Sequence, residues 1–577
     1  MTIVHTRRCW PTLLILLVAA PGRATAAATE RVPALAEVRI RHVNGRSQTT
    51  LLAPGEFLPI AYDRPMFYLY RGGSDLLIEQ KGPVFSVRVD GGPARLAGVR
   101  AGKERAIADP VMRKRLAEAA GLMGAAEDET DSMAALKDAV ARRVTPLTIT
   151  CDAETLRALP PIPQGIEMAL VAQGDDLAGL APFVARCPGL AALSVYAGAW
   201  TPDAELFKGL TGLTSLSLEL RQIGMGLMGD DGARAPVNEV KDLVPLADLT
   251  HLRVLVLRGR FATSDLRPLA KLTHLVSLTL DAPPREGNLA ALSGLSNLER
   301  LSLGRCFGVT ELSALAPLER LTALDLGCCS ALEDISALAR LGNLTRLSFQ
   351  AGQESRLNDL SPLTQLGKLR ELSIYGLSNV RDLRPLAALR RLKSLRLRTL
   401  PHVRDVEPIG ELTNLADLLL GEAPNLRDIE PLGKLTNLTQ LSLMSAPAVG
   451  DIAPLRQMKK LESLGLHGLP NLAEVTPLAG LPELKALWVS ECPQLRDLRP
   501  LADLANLTEV SFSECEGVAD LSPLARLRHL TTVSLRQCGN VRDLTPLRPF
   551  VKRGGQISLD GNTSHEKVKQ LREETDF

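Results

Sequence analysis

Aromatic residues are scarce in this 577-residue chain, where Phe, Trp and Tyr together make up 3% of the positions. Proteins that hold single-stranded nucleic acid stack its bases on aromatic rings, so this composition argues against that kind of surface. An excess of one charge is also lacking, because 67 Lys and Arg residues stand against 65 Asp and Glu residues. The chain therefore has no overall field that would draw it to polyanions, and any basic patch must be local.

Motifs of the common catalytic and metal sites are missing as well. The sequence contains no HExxH, and no CxxC pair or histidine cluster of the kind that holds zinc. His467 has many serines nearby, but no acid is obviously placed to orient its ring as a Ser-His-Asp triad requires. We therefore expect a protein that is not an enzyme and that uses no cofactor and no metal.

Long apolar runs are lacking outside the N-terminus. There, Arg7 and Arg8 precede an apolar run through Ala20, and small residues follow around Ala26. This order predicts a secretory signal peptide over residues 1–26, cleaved after Ala26. A membrane anchor is the less favoured alternative, since the run is shorter than the ~20 residues of a membrane span. We expect a secreted or periplasmic protein with no membrane span after signal removal.

Leucine, by contrast, recurs with a fixed period. An Asp-Leu-x-Pro-Leu motif or a close variant begins at Asp242, Asp265, Asn288, Glu311, Asp334, Asp359, Asp382, Asp405, Asp428, Asp451, Glu474, Asp497, Asp520 and Asp543. Every step is 23 residues except the one from Asp334 to Asp359, which is 25. A Leu-x-x-Leu-x-Leu pattern begins at Leu190, Leu213, Leu252, Leu275, Leu298, Leu321, Leu344, Leu369, Leu392, Leu415, Leu438, Leu461, Leu484, Leu507 and Leu530. Such a period indicates stacked units that share one core.

Each repeat carries the signals of one strand and one short turn. In Leu-x-Leu the alternation sends leucines to one side of a strand and the intervening residues to the other. In the Asp-Leu-x-Pro-Leu half, Asp382 is suited to cap a helical turn, and Pro385 lies in the first turn, where no backbone N–H is needed. The same arrangement recurs at Asp405 with Pro408.

The consensus LxxLxLxx(C/A)xxLxDLxPLxxLxN resembles the leucine-rich repeat, and its DLxPL half is most similar to the internalin-like repeats of bacterial surface proteins. The resemblance covers about residues 166 to 550. It implies an α/β fold: a right-handed solenoid with a parallel concave sheet and short helical turns on its convex side. Internalin-like proteins bind host receptors, but this chain shows no LPxTG anchoring signal, which favours a soluble or periplasmic form.

The period also divides the chain. Residues 27–145 do not follow it, and we expect a small α+β or β-rich domain of unknown family that helps cover the first repeat. The solenoid takes 146–550, and 551–577 form a C-terminal cap with one last strand. Between Leu213 and Leu252 the spacing is 39 residues, so 16 additional residues within 220–241 should project from one rim. That insertion is either a functional loop or a tolerated one.

Five cysteines share one repeat position, three residues after the last apolar residue of the strand motif: Cys306, Cys329, Cys492, Cys515 and Cys538. We favour a row of small buried thiols. A ladder of disulfides or metal ligands is the alternative, although neighbouring strands lie ~4.8 Å apart, wider than the usual Cβ spacing of a disulfide. A disulfide between Cys151 and Cys187 is also open.

The residues between and beside the strand leucines should face solvent on the concave side. They include Arg258, Arg300, Arg346, Arg396, Arg398 and Arg536, and the acids Glu219, Asp281, Asp325, Glu371, Asp417 and Glu509. Six charges of each sign make no polyanion track, so we expect no nucleic-acid partner. Most of the seven basic residues in the segment 379–400 fall on loops or at the start of the strand, and only Arg396 and Arg398 should reach the concave face.

Two clusters on that face are candidate partner-binding sites. The first is Tyr375, Arg396 and Arg398; the second is Leu419, Met444, His467 and Trp488. Trp, Tyr and Arg dominate binding hot spots, although Arg396 could simply pair with Glu371 and Asp417 across strands. We predict a protein or peptide partner on the concave face. An enzyme or sensor in residues 27–145, with the repeats as a targeting arm, and a structural array without a specific partner are the alternatives.

Overall fold

The computed structural model describes most of the repeat region and only separate strands before it. In the repeats it covers 168–174, 177, 179–197, 204–220, 239–240, 242–261, 265–280, 288–304, 306–352 and 355–559. Ahead of them it covers 2–4, 15–17, 36–41, 47–52, 68–70, 76–81, 84–89 and 147–151. The chain divides into two units, Met1–Ala282 and Pro283–Phe577.

The repeated turn is a 3₁₀ helix because its leucines recur every third residue. In one repeat, Leu383, Leu386, Leu389 and Leu392 are all buried, and each of the last three donates its N–H to the carbonyl of the leucine three residues earlier, at 2.9 Å. A 3₁₀ helix has three residues per turn, so this spacing lines the leucines up on one side. The predicted short helical turns are therefore present, most of them as 3₁₀ rather than α.

The acid that opens each turn caps it, as its position predicts. Asp382 Oδ1 accepts the N–H of Arg384 at 2.9 Å, and Asp497 does the same for Arg499. The Arg499 side chain also binds Asp497, and this ion pair together with the backbone hydrogen bond lowers the pKa of Asp497 to about 2. The cap fixes where the turn begins, and the strand follows after the last of the four leucines.

In the first unit, a parallel sheet joins β1, β8, β9, β10, β11, β13 and β15 in that order. Antiparallel pairs are β3 with β4 and β6 with β7, and short parallel pairs are β2 with β5 and β12 with β14. The strands are β1 Thr2–Val4, β2 Ile15–Leu17, β3 Ala36–Arg41, β4 Ser47–Leu52, β5 Tyr68–Tyr70, β6 Leu76–Lys81, β7 Val84–Val89, β8 Leu147–Cys151, β9 Met168–Gly174, β10 Leu190–Ala197, β11 Ser215–Leu220, β12 Glu239–Val240, β13 Val254–Arg258, β14 Arg260–Phe261 and β15 Ser277–Leu280. The helices are α1 Leu180–Val184 and α2 Ala204–Phe207, with 3₁₀ turns Val244–Asp248 and Arg267–Lys271.

In the second unit, the described strands β16 to β27 pair in parallel, each with the next along the chain. They are β16 Arg300–Leu303, β17 Ala323–Cys329, β18 Arg346–Ala351, β19 Glu371–Tyr375, β20 Ser394–Arg398, β21 Asp417–Gly421, β22 Gln440–Met444, β23 Ser463–His467, β24 Ala486–Ser490, β25 Glu509–Ser513, β26 Thr532–Arg536 and β27 Gln556–Leu559. The helices are α3 Glu407–Gly410 and α4 Arg548–Lys552. The 3₁₀ turns are Ala290–Leu292, Ser313–Leu315, Ser336–Arg340, Ser361–Gln365, Arg384–Ala388, Glu430–Lys434, Ala453–Gln457, Thr476–Gly480, Arg499–Asp503, Ser522–Arg526 and Thr545–Leu547.

The core of each unit is a stack of leucines, and polar side chains tie the stack at its surface. Thr345 Oγ1 donates to the carbonyl of Thr322 at 3.0 Å, and Asn414 Nδ2 donates to the carbonyl of Arg390 at 2.9 Å, each one repeat back. These contacts recur at equivalent positions, so each repeat is joined to its predecessor on both sides of the buried leucines. One strand, one short turn and a shared leucine core per repeat confirm the leucine-rich-repeat fold.

The cysteine position is occupied by thiols rather than by disulfides. Cys306, Cys329, Cys492 and Cys515 are buried and not disulfide-bonded, while Cys538 is half-buried. The Cys492 and Cys515 thiols each lie 3.3 Å from a backbone carbonyl of the preceding strand end. Burial raises the pKa of Cys492 to about 11 and that of Cys515 to about 12, so both stay protonated at neutral pH.

Four predictions for the first unit fall largely outside the described residues. Among residues 27–145 the structure describes only strands β3 to β7, so the α+β or β-rich domain stays a prediction. Of the insertion, β12 is described, and it pairs in parallel with β14. The side chain of Cys151 is also outside the described part, so the disulfide with Cys187 stays a prediction, as does the signal peptide.

Candidate partner-binding face

The outward face of the second unit's sheet is made of three columns of side chains, because the strands pair without a shift from β18 to β26. The first residue of each strand lies beside the first residue of the next, and the same holds for the third and fifth residues. The second and fourth residues of these strands are buried. Candidate residues far apart in sequence therefore become neighbours on the face that the sequence predicts to be concave.

Trp488 is held in place on this face by its neighbours. Its ring is half-buried, and its Nε1–H donates to Glu509 Oε1 at 2.9 Å on the next strand. On the preceding strand, the residue beside Trp488 is Gly465, which has no side chain to cover the indole. The ring is thus fixed in orientation, and no side chain at position 465 lies against it.

The imidazole ring of His467 lies over Gly465. Its Nδ1 is 2.8 Å from Ser490 Oγ, and a β-carbon added at Gly465 would come 2.8 Å from its Nε2, so the ring covers Gly465. Burial lowers the pKa of His467, against the weaker opposing charge of Glu491, and the ring is neutral at pH 7. Among the described residues no carboxylate hydrogen-bonds the ring. The contact with Ser490 therefore fixes the orientation of the His467 ring, and no acid completes a Ser-His-Asp triad.

The second candidate cluster is brought together as a band across four strands. Met444 lies directly beside His467, and Leu419 lies in the same column as Trp488 with Ser442 and Gly465 between them. Leu419 and Trp488 stand at the two ends of this column, about 15 Å or three strand spacings apart, and the His467 ring lies over Gly465 between them. Leu419, Met444, His467 and Trp488 therefore form one continuous surface, which we call the Trp488 band.

The first cluster is also brought together, but its arginines are already neutralised. Arg396 Nε and Nη2 donate to Asp417 Oδ2 at 3.0 and 2.7 Å. Burial lowers the pKa of the Arg396 guanidinium, but the charge of Asp417 and the hydrogen bond to it outweigh burial, and the pKa ends above its ordinary value. Arg398 Nη2 lies 2.9 Å from Glu422 Oε1, and Tyr375 stands beside Arg398 in the register.

The remaining charges of the outward face are largely paired too. Arg346 Nε binds Glu371 Oε2 at 2.7 Å, so Glu371 serves Arg346, whereas Asp417 serves Arg396. In the first unit, Arg258 lies 3.6 Å from Glu219. A polyanion that lies along this face would meet a carboxylate beside these arginines, which does not suit phosphate neutralisation.

The sequence places Glu509 on the outward face, but it assigns no role to Glu509, Glu422, Gly465 or Gly421. Gly465 and Gly421 admit the side chains of His467 and Arg398, while Glu509 and Glu422 hold Trp488 and Arg398. The two glycines carry a sequence signal, because each occupies a column that holds larger residues in neighbouring repeats. The carboxylate partners carry none, since their role depends on which way each side chain turns.

Among the described residues, the side chains form no metal-binding cluster and no helix is suited to span a membrane. No group of three or more His, Cys, Asp or Glu side chains in that part of the chain is placed to hold a metal ion. Nor does any helix there have both the length and the apolar character needed to cross a membrane.

Comparisons with known proteins point to solved repeat structures. No family model and no curated protein matches the chain. An internalin of Listeria monocytogenes (InlF) is 26% identical, covers 52% of this chain and 85% of its own, and has a TM-score of 0.43. A leucine-rich-repeat protein of Leptospira interrogans is 16% identical and has a TM-score of 0.44; the match covers 76% of this chain and 96% of that protein. The functional domain of InlJ from Listeria monocytogenes, described as including a cysteine ladder, is 16% identical and has a TM-score of 0.39. The match covers 56% of this chain and 71% of that domain.

Proposed function

We propose that this leucine-rich-repeat protein binds a protein or peptide partner on the outward face of its second unit. The observation that carries the proposal is Trp488, a half-buried indole fixed by Glu509 and standing beside Gly465, over which the His467 ring lies. Tryptophan is among the residue types that most often anchor an interface. The Trp488 band would supply the apolar contact, and Tyr375, Arg396 and Arg398 a polar rim beside it.

The rigidity of the scaffold favours this function. His467 is tied to Ser490, Arg396 to Asp417 and Arg398 to Glu422, so their side chains are already ordered in the free protein. Binding then costs these side chains less conformational entropy than it would on a mobile surface. The apolar part of the band provides affinity, and the paired charges around it provide specificity by opposing partners with a mismatched charge.

The proposal includes the setting in which binding occurs. The signal-peptide prediction for residues 1–26 supports a secreted or periplasmic protein, and the partner would then be an envelope or extracellular protein or peptide. Activity in residues 27–145 and a structural array without a partner remain the competing hypotheses, and the experiment below separates them from binding.

The test is affinity capture from an envelope extract with three baits: the wild type, Trp488→Ala and Phe307→Ala. Phe307 is a matched control because it is an aromatic residue, 55% exposed, in the turn after β16 and off the outward face. We expect one partner that the wild type and Phe307→Ala retain and that Trp488→Ala loses. In calorimetry with the purified partner, the loss should be about 2 kcal/mol, or about thirtyfold in affinity.

Two outcomes would contradict the proposal. If all three baits capture the same proteins with equal affinity, the Trp488 band is not the binding surface. If residues 27–145 expressed alone keep the partner, or turn over a substrate, the repeats are an accessory to that domain.

A further inference from the structure

A patch of exposed cations lies where strands β19 and β20 begin. Arg370 and Lys393 are adjacent, because the Lys393 N–H donates to the Arg370 carbonyl at 2.7 Å. Lys368 and Arg391 precede them by two residues, with a buried leucine between in each repeat, so all four point away from the core. Arg390 stands next to Arg391 and is also exposed. We call these five residues the basic rim patch.

The cations of the basic rim patch have no anionic partner among the described residues. No carboxylate there lies within ion-pair distance of any of the five. The nearest acid in sequence, Glu371, is occupied by Arg346. Lys368 Nζ donates to the neutral amide oxygen of Asn343 at 2.6 Å. The patch thus differs from the outward face, where Arg396 and Arg398 are paired.

The patch ends abruptly on both sides. The next repeat toward the C-terminus has Thr413, Asn414 and Ala416 at the equivalent positions, and the preceding repeat has Asn343 and Thr345. Two adjacent strands span about 5 Å and two residues along a strand about 7 Å, so the five charges occupy an area of roughly 10 by 10 Å. An area of this size suits two or three carboxylates, whereas a nucleic acid would extend into neutral repeats.

We propose that the basic rim patch binds an acidic segment of a polypeptide. Arg370, Arg390 and Arg391 offer planar guanidinium groups that can each donate two hydrogen bonds to one carboxylate, and Lys368 and Lys393 add point charges on either side. The surface is separate from the Trp488 band, and its occupation does not depend on a partner at that band. Because the patch is exposed, the affinity is electrostatic and falls with salt.

The test uses a fluorescein-labelled hexaglutamate peptide and fluorescence anisotropy with the full chain at about 50 mM NaCl. We expect Arg390→Glu with Arg391→Glu to weaken binding by about tenfold or more, since two attractive contacts become repulsive. The matched control is Lys459→Glu with Lys460→Glu, which makes the same charge change at the same repeat positions three repeats further on. That control, and Trp488→Ala, should change the affinity by less than about twofold.

A second variant guards against misfolding. Arg370→Gln with Lys393→Gln removes charge without reversing it, and the thermal melting curve of each variant should match that of the wild type. Absence of peptide binding by the wild type, or equal losses in the patch and control variants, would overturn the proposal. So would tighter binding of an oligothymidylate of equal charge with the same sensitivity to Arg390 and Arg391, since the occupant would then be a phosphate polymer. If no partner is captured through the Trp488 band while hexaglutamate still binds, only the proposal for the Trp488 band is contradicted.

Discussion

At the residue scale, positive φ angles recur directly after the strands of the second unit. Thr399, Glu422, Ser445 and Glu491 all have φ between 50° and 61°. The left-handed conformation costs a non-glycine residue about 1–2 kcal/mol, yet the N–H of each of these residues donates to the end of the following strand, as in Ser445 N–H to His467 O at 2.7 Å. The repeat tolerates this strain because each such residue gains a hydrogen bond to its neighbour.

Gly376 occupies the same position and cannot be replaced in the same way. Its φ is 84°, and an added β-carbon would come 1.7 Å from the carbonyl oxygen of Ala351. We expect Gly376→Ala to lower the free energy of unfolding by about 3 kcal/mol, from the backbone clash and the left-handed strain together. Urea denaturation followed by circular dichroism measures the loss.

The control for that prediction is Gly367→Ala. Gly367 has no positive φ, and nothing lies within 4 Å of the β-carbon it would gain. Its replacement should leave the free energy of unfolding within about 0.5 kcal/mol of the wild-type value. Equal effects of the two substitutions would show that the approach of Ala351 is not what requires glycine at position 376.

At the element scale, the acid at the start of each turn determines where the turn begins. Asp405 Oδ1 accepts the N–H of Glu407 at 2.7 Å and thereby caps α3. We expect Asp405→Ala to destabilise the protein by about 1 kcal/mol, because that N–H loses its partner. Asp405→Asn should restore most of the stability, since an asparagine side chain caps equally well.

The neighbouring Arg404 provides the comparison for this cap. Arg404 is exposed, and Arg404→Ala should leave the midpoint of thermal unfolding unchanged. If Asp405→Asn proved as damaging as Asp405→Ala, the contribution of Asp405 would come from its charge and not from the hydrogen bond.

How far the sequence predicts this fold depends on how local each feature is. The strands follow from the Leu-x-Leu alternation and the turns from the acid and proline, because those signals act within a few residues. The 3₁₀ character was also present, in the three-residue spacing of Leu383, Leu386 and Leu389. What the sequence could not show is pairing between repeats: Arg396 with Asp417 depends on rotamers and register that no single repeat specifies.

The same limit explains the basic segment 379–400. Sequence alone assigns Arg396 and Arg398 to the outward face and leaves the other cations to loops and the start of the strand. The structure shows that these two arginines are ion-paired, while Arg390, Arg391 and Lys393 have no carboxylate partner among the described residues. The side that a residue faces therefore follows from its own repeat, whereas the presence of an ion-pair partner depends on the neighbouring repeats.

At the scale of the whole molecule, charge is balanced overall but not everywhere. A net charge of +2 over 577 residues gives no long-range field, so the two proposed surfaces should respond to salt in different ways. On the Trp488 band the contacts are apolar and the adjacent arginines are paired within the chain. The basic rim patch relies on exposed charges, which salt screens.

Raising NaCl from about 50 mM to about 500 mM should therefore weaken hexaglutamate binding by about tenfold or more. Binding of the partner captured through Trp488 should change by less than about threefold, because apolar burial is not screened by salt. Anisotropy and calorimetry across the same salt series provide the comparison. A shared steep dependence would mean that the captured partner also reaches the basic rim patch, and Arg390→Glu with Arg391→Glu would then flatten its salt dependence. A flat response of both ligands would instead contradict the electrostatic origin assigned to the patch.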